Sequence, residues 1–262
     1  METDFFKYSY KKIAEDNEVG RCDVAHNRDM ALRCFTSFLG KKKLPFSELS
    51  PSLMEDFEEW LIANGRKAST SRLYLNQISA IYNVAAKEGV VPKMRLLKGV
   101  KSTLPAKQNR ELPTEDELHR LRDADFSDSK PMALARDLFL FCIYARGLSF
   151  TDMAHIKKSD VNGNLLTYTS QVAGKPRITV LWDADMQEIA DRYPSDTEYL
   201  FPFIKSDNNF EISRDIRRVR ENVTNAFKQI KTRCNLSVIP SMYMVNDIYQ
   251  RVVDGVSVSK II

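Results

Sequence analysis

The stretch from Ala135 to Tyr144 (ARDLFLFCIY) constrains the fold of this chain more than any other. Its apolar residues recur at helical spacing nearly all the way round, and such a helix is buried on most of its faces. The rest of the chain around it must wrap that helix. The stop signal is equally clear: Arg146 puts a cation in the last turn, and Gly147 most easily takes the left-handed conformation beyond it. Ser149 then offers the N-cap of a short second helix, with Asp152 as its capping-box partner. A turn bearing Arg146 and Ser149 is therefore expected at the mouth of a core.

The run ARGLSFTDMAHIKKSDV, from Ala145 to Val161, resembles the first signature box of the tyrosine recombinases, the phage-integrase family, in its mobile-element form. Two further runs are similar to family stretches: LPTEDEL, which opens at Leu112 like the usual start of the catalytic domain, and YLFP at Tyr199 to Pro202. The resemblance implies attack by a tyrosine on a DNA phosphodiester, with bond energy kept in a phosphotyrosyl link. Such chemistry uses preorganised cations, a general acid and the nucleophile, and no metal or other cofactor. Residue by residue the match is incomplete. After Gly147-Leu148 the arginine slot holds Ser149, and Arg146 is the catalytic candidate in its place; its plain reading is a helix-capping cation. Val172 occupies the hairpin lysine position, leaving Lys175, just past the turn, as the second candidate; its plain reading is an exposed turn residue. Ile239-Pro240-Ser241-Met242 fills the His-x-x-Arg box, and Tyr243 and Tyr249 precede the segment that would carry the nucleophile. The expectation is a truncated catalytic-type domain whose own chemistry is impaired.

Four helices account for the first ninety or so residues: Phe5 to Glu15, Cys22 to Leu39 ending at Gly40, a third opened by Ser50-Pro51, and a fourth beginning near Ser69 to Ser71 and closing at Gly89. Short connections imply a four-helix bundle. Arg66, Lys67, Ser69, Thr70, Arg72 and Asn76 gather cations and polar groups at the start of the fourth helix, where unpaired amides favour phosphate. The plain alternative makes Ser69 or Thr70 a cap beside a solvated turn. The bundle resembles the SAM-like core-binding domain that integrases clamp over DNA. Lys98 to Pro113 lacks helical period and carries Lys98, Lys101, Lys107 and Arg110; the family's equivalent segment follows the DNA backbone. The organisation expected is a core-binding domain at 1–97, a basic linker at 98–113 and the catalytic-type domain at 114–262.

Charge supports the same partner. From Arg66 to Arg110 ten bases face one acid, Glu88, whereas acids outnumber bases from Met1 to Gly65. A basic middle flanked by balanced segments fits a phosphate-binding surface; a solvated linker is the plain reading. Leu165 to Thr169 and Ile178 to Trp182 read as two strands of a small antiparallel sheet, and Ile212 to Arg233 as a basic amphipathic helix. The fold class expected is mainly α: a SAM-like bundle plus a mostly helical α+β domain. Cys22, Cys34, Cys142 and Cys234 are scattered and His26, His119 and His155 lie outside any box, so no metal centre is expected and the cysteines read as reduced, cytoplasmic packing residues. No run is long and apolar enough for a membrane span. Double-stranded DNA is the expected partner, with an intact integrase or a second copy as further ones. The inherited role is site-specific integration and recombination; a non-catalytic regulator of an intact integrase, or a decayed, frameshifted product, are the alternatives. The apolar residues from Ile239 to Ile262 are expected to leave an exposed patch.

Overall fold

One carboxylate sets the entry to the chain. Asp4 accepts from the Lys7 amide at 2.8 Å, capping helix α1 (Phe5–Glu18), and from the Leu44 amide at 2.9 Å, fixing the loop that follows helix α2 (Cys22–Leu39). In this computed structural model the described residues are 4–100, 111–170 and 177–255, and they form two compact units, one within Met1–Asn109 and one within Arg110–Ile262.

In the first unit α2 ends at Gly40, whose φ of 64° is the left-handed cap that glycine takes without strain. Ser50 caps helix α3 (Pro51–Ala63) from a side chain that accepts from Leu53 at 3.2 Å, with proline at the first turn. Helix α4 (Ala68–Lys87) completes the bundle, and α2 packs on all three others. Phe5, Phe35, Phe57, Leu75 and Ile78 are fully buried, and the Phe35 and Phe57 rings meet edge to face at 4.9 Å. Glu88, which caps the C-terminus of α4, takes hydrogen bonds from Lys12 at 2.6 Å and from the Tyr8 hydroxyl at 2.8 Å. Lys12 first, then Tyr8, hold its carboxyl below the usual carboxylate range.

The second unit is built around helix α6 (Lys130–Tyr144), with Leu138 to Ile143 buried continuously. Helices α5 (Glu115–Asp123), α8 (Ala184–Arg192), α9 (Asn209–Arg233) and α10 (Val245–Gly255) all pack on it. Phe139 meets Phe227 of α9 at 5.5 Å, and Phe141 meets Phe201 at 5.0 Å. The short helix α7 (Phe150–Ala154) leads into an antiparallel sheet ordered β1 (Val161–Asn162), β2 (Leu165–Thr169), β3 (Arg177–Leu181). Its register pairs Leu166 with Val180 and Tyr168 with Ile178, so Leu166, Tyr168 and Val180 are buried on one face while Leu165 and Leu181 stand exposed on the other. A charge is buried in the α6 packing as well. Asp137 accepts from Arg136 at 2.8 Å, Arg192 at 3.0 Å and the Tyr193 hydroxyl at 2.8 Å, which is how a carboxylate survives there.

Three expectations change. Ser69 and Thr70 do not cap α4: the helix opens at Ala68 with Lys67 at the N-cap and no side-chain hydrogen bond there. Asp152 does not complete a capping box. Ser149 accepts from the Asp152 amide at 3.0 Å, but the Asp152 carboxylate receives the buried Ser170 hydroxyl at 3.1 Å instead. Among its described side chains, which run to Arg251, the tail does not leave most of its apolar residues bare either. Met242, Val245 and Ile248 are buried in the second core because α10 turns one amphipathic face onto α6; Ile239 and Tyr243 stay exposed.

The start of this unit is latched to its far end. Thr114 and Glu117 form a full capping box on α5, and the same Glu117 carboxylate accepts the amide and hydroxyl of Ser237. Burial alone would raise the Glu117 pKa; the hydrogen bonds from Thr114 and Ser237 outweigh it and lower it. A folded-state pKa below the unfolded one adds stability above the unfolded carboxylate pKa, and that stability is lost as pH falls through the folded value. Glu117→Gln should cost about 1–3 kcal/mol at neutral pH, the range for a broken buried hydrogen bond to a charge. Melting curves of variant and parent should converge on acidification; a pH-independent gap would assign the loss to packing.

Candidate functional site

The first surface follows from helical spacing. Arg72, Asn76, Ser79 and Asn83 recur at intervals of four, three and four on α4, one polar stripe opposite the buried Tyr74, Leu75, Ile78 and Ile81. The segment after α4 folds back beside it. Ser79 and Asn83 line an open cavity of about 620 Å³ together with Lys93, Met94, Arg95, Leu96, Leu97 and Lys98. Leu96 is the anchor, 1% exposed and in the first core, while Lys93, Arg95 and Lys98 point their charges to solvent. At the head of the helix Arg66, Lys67 and Ser69 are exposed and Thr70 half-buried, beside first-turn amides without a side-chain cap. The only acid between Arg66 and Arg110, Glu88, is tied up by Lys12 and Tyr8.

The structure thus brings Asn76 and Arg72 onto one face and places Lys98 on the rim of the cavity that continues it. Lys101, Lys107 and Arg110 lie outside the described residues, as do Val172 and Lys175. Ser79, Asn83, Lys93 and Arg95 were not singled out from sequence as site residues. Extending the period from Arg72 and Asn76 by two steps reaches Ser79 and Asn83, so for them the signal was present.

The second surface is the turn after α6. Arg146 is exposed and itself adopts the left-handed region, φ 61°, one residue earlier than the glycine expected to do so; Gly147 follows at 76°. A non-glycine residue there carries strain of about 1 kcal/mol or more, which persists only where surroundings enforce it. What enforces it is close packing: a Cβ on Gly147 would sit 2.8 Å from the Asn246 Cα of α10. Gly147→Ala should therefore destabilise the second unit by about 1–3 kcal/mol through backbone strain and overpacking, read as a drop in melting temperature. An unchanged melting temperature would show that α10 yields freely at that point.

Around this turn the electrostatics are uneven. The Arg220 guanidinium of α9 donates to the Thr151 hydroxyl at 2.8 Å and lies 5.5 Å from the Phe150 ring centroid. Burial pushes the Cys142 thiol and Tyr168 hydroxyl up, with Asp152 adding to both, so neither supplies an anion or a nucleophile near neutral pH. Of the two residues expected from sequence to fill the His-x-x-Arg box, Met242 is buried and Ile239 exposed, both apolar. His155 shares a hydrogen bond with the Thr151 carbonyl at 2.7 Å, a packing role. Among the described residues no cluster of three or more potential metal ligands occurs, and no helix is long and apolar enough to cross a membrane.

Comparisons with known proteins bear on the first domain and on the fold. Residues 4–99 match the family model of the phage integrase SAM-like domain. No curated protein matches the chain by sequence. Among solved structures it is similar to a lambda integrase dimer bound to a COC′ core site, with a TM-score of 0.61 and 15% identity over 96% of this chain and 90% of that one. A lambda integrase tetramer bound to a Holliday junction gives 0.61 and 16% over 96% and 72%. The Tn1549 transposon integrase in complex with a circular intermediate DNA gives 0.59 and 12% over 97% and 88%. At such identities these likenesses speak for the fold, and the family model speaks for the first domain. Residues 4–99 thus form a phage integrase SAM-like domain, and the chain as a whole shares the fold of the solved tyrosine recombinase integrases.

Proposed function

We propose that this chain binds duplex DNA in site-specific recombination and does not itself form the covalent protein–DNA link. The observation that carries the binding half is the α4 face: Arg72, Asn76, Ser79 and Asn83 in line, continued by Lys93, Arg95 and Lys98. Hydroxyls, amides and cations at that spacing suit a row of phosphates, whose contacts position a protein without reading sequence. The integrases of like fold were solved as DNA complexes, which supports the same partner here. Core-binding residues are then Arg66, Lys67, Ser69, Thr70, Arg72, Asn76 and Lys98, with Lys101, Lys107 and Arg110 as further contacts of the basic segment. Arg146, held strained and exposed on its turn, is the one candidate phosphate contact from the recombinase boxes that lies among the described residues.

The non-catalytic half rests on Ile239 and Met242. They put an apolar loop where two charged groups are needed, and a thioether offers no charge to a phosphorane. A chain that occupies the site without reacting would act as a regulator of an intact integrase, blocking it or co-assembling with it; lambda integrase, solved as a dimer and a tetramer, supports assembly on DNA. The test is fluorescence anisotropy on duplex DNA over a range of salt. Micromolar or tighter binding that weakens steeply with salt is expected; no binding at low salt would overturn the proposal.

A further inference from the structure

Arg220 sits in an arrangement that three other arginines of its helix do not share. On α9, Arg214 has Glu211 at 3.6 Å, Arg218 has Asp215 at 3.3 Å and Arg233 has Asp128 at 2.8 Å. Among the described residues no carboxylate lies within ion-pair distance of Arg220. Arg220 is half-buried, and its guanidinium donates one N–H to Thr151 Oγ1 at 2.8 Å and faces the Phe150 ring at 5.5 Å. A neutral hydroxyl and a ring orient the group and lower its entropy, but they neutralise none of its charge. The acid nearest in sequence on the facing helix, Asp152, is buried and turned to the Ser170 hydroxyl. Thr151 and Phe150 follow directly on the exposed Ser149, three residues past the exposed and strained Arg146.

A planar cation held in one orientation, partly desolvated and left without an anion, is built to receive one; its remaining N–H groups form the fork that matches a phosphate. We infer that Arg220 is a phosphate contact of the second unit, held in position by Thr151 and Phe150 and supplied from α9 rather than from the turn that carries Arg146. The inference rests on the DNA-binding reading for its natural ligand, and on the geometry alone for the anion.

The full chain serves for the test, with duplex DNA and inorganic phosphate as separate probes. Arg220→Gln should reduce the slope of log affinity against log salt by about 0.9, the loss of one phosphate contact, and abolish any rise in melting temperature with phosphate. Arg220→Lys keeps the charge and should keep the slope, which separates charge from packing. Arg218→Ala, whose guanidinium already pairs with Asp215, should match the parent. If the parent binds DNA and Arg220→Gln leaves both slope and phosphate response unchanged, the inference falls while the DNA reading stands. If the parent binds no DNA but phosphate stabilises it only when Arg220 is present, the anion site stands and the DNA reading falls. If neither probe distinguishes parent from Arg220→Gln, the site is refuted.

Discussion

Replacing Lys93, Arg95 and Lys98 together with alanine is expected to weaken duplex binding by about 10²- to 10³-fold at moderate salt and to flatten the salt slope by about 2.7, at roughly 0.9 for each neutralised phosphate. The three side chains are exposed and rim one cavity beside Ser79 and Asn83, so a contact through that face engages them as a group. The fold should tolerate the change, since exposed substitutions away from caps and cores usually move stability by less than about 0.5 kcal/mol. Leu96, which anchors the segment in the core, is left intact. A triple variant that melts like the parent but binds with an unchanged slope would remove this face from the interface. The matched control is the acidic side: Glu88→Gln should release Lys12 and leave the slope nearly unaltered.

The other large effect concerns covalent chemistry. On a suicide substrate bearing the element's own attachment site, this chain should trap no DNA at all. One missing preorganised donor typically costs about 10²- to 10³-fold in rate, and under the proposed reading Met242 and Ile239 stand in for two charged groups at once. Such losses are not a simple sum, because the groups act on one phosphorane together. Met242→Arg alone should therefore restore nothing measurable, the more so because Met242 is buried and a guanidinium there would have to leave the core. Tyr243 is exposed and Tyr249 half-buried, and each has a direct control. An adduct formed by this chain and abolished by Tyr243→Phe or Tyr249→Phe would overturn the non-catalytic reading. An adduct formed only by an added intact integrase, at a rate changed by this chain, would support the regulator.

Much of the architecture was legible because it depends on local rules. The glycine after Leu39 and the Ser50-Pro51 pair mark helix ends by backbone chemistry that needs no tertiary partner, and the structure places the ends there. The unbroken apolar run in α6 predicts burial on all sides, and helices surround it. What sequence did not give were the places where a distant residue competes with a local one. Asp152 has a capping position within reach, yet Ser170, eighteen residues on, takes its carboxylate. Arg146 carries the left-handed turn because the fit of Gly147 against Asn246 governs that corner, a contact spanning about a hundred residues. Met242, Val245 and Ile248 looked unpartnered for the same reason: the α6 packing that covers them is a tertiary fact. At the candidate site, Lys93, Arg95 and Lys98 were readable as part of a charge excess, but their alignment with Ser79 and Asn83 depends on the chain folding back at Leu96.

The latch on α5 also bears on the order in which the chain becomes structured as it leaves the ribosome. Glu117 is held by Ser237, Arg120 by the carbonyls of Cys234 and Asn235, and Pro113 by Arg251, each spanning more than a hundred residues. The first unit closes on contacts made entirely before residue 110. During synthesis the amino-terminal bundle can therefore mature while α5 still waits for its docking partners, and nascent chains stalled before Cys234 should protect the first bundle from protease and leave α5 open. The proposed DNA-binding face of the first unit would then be finished long before the second unit.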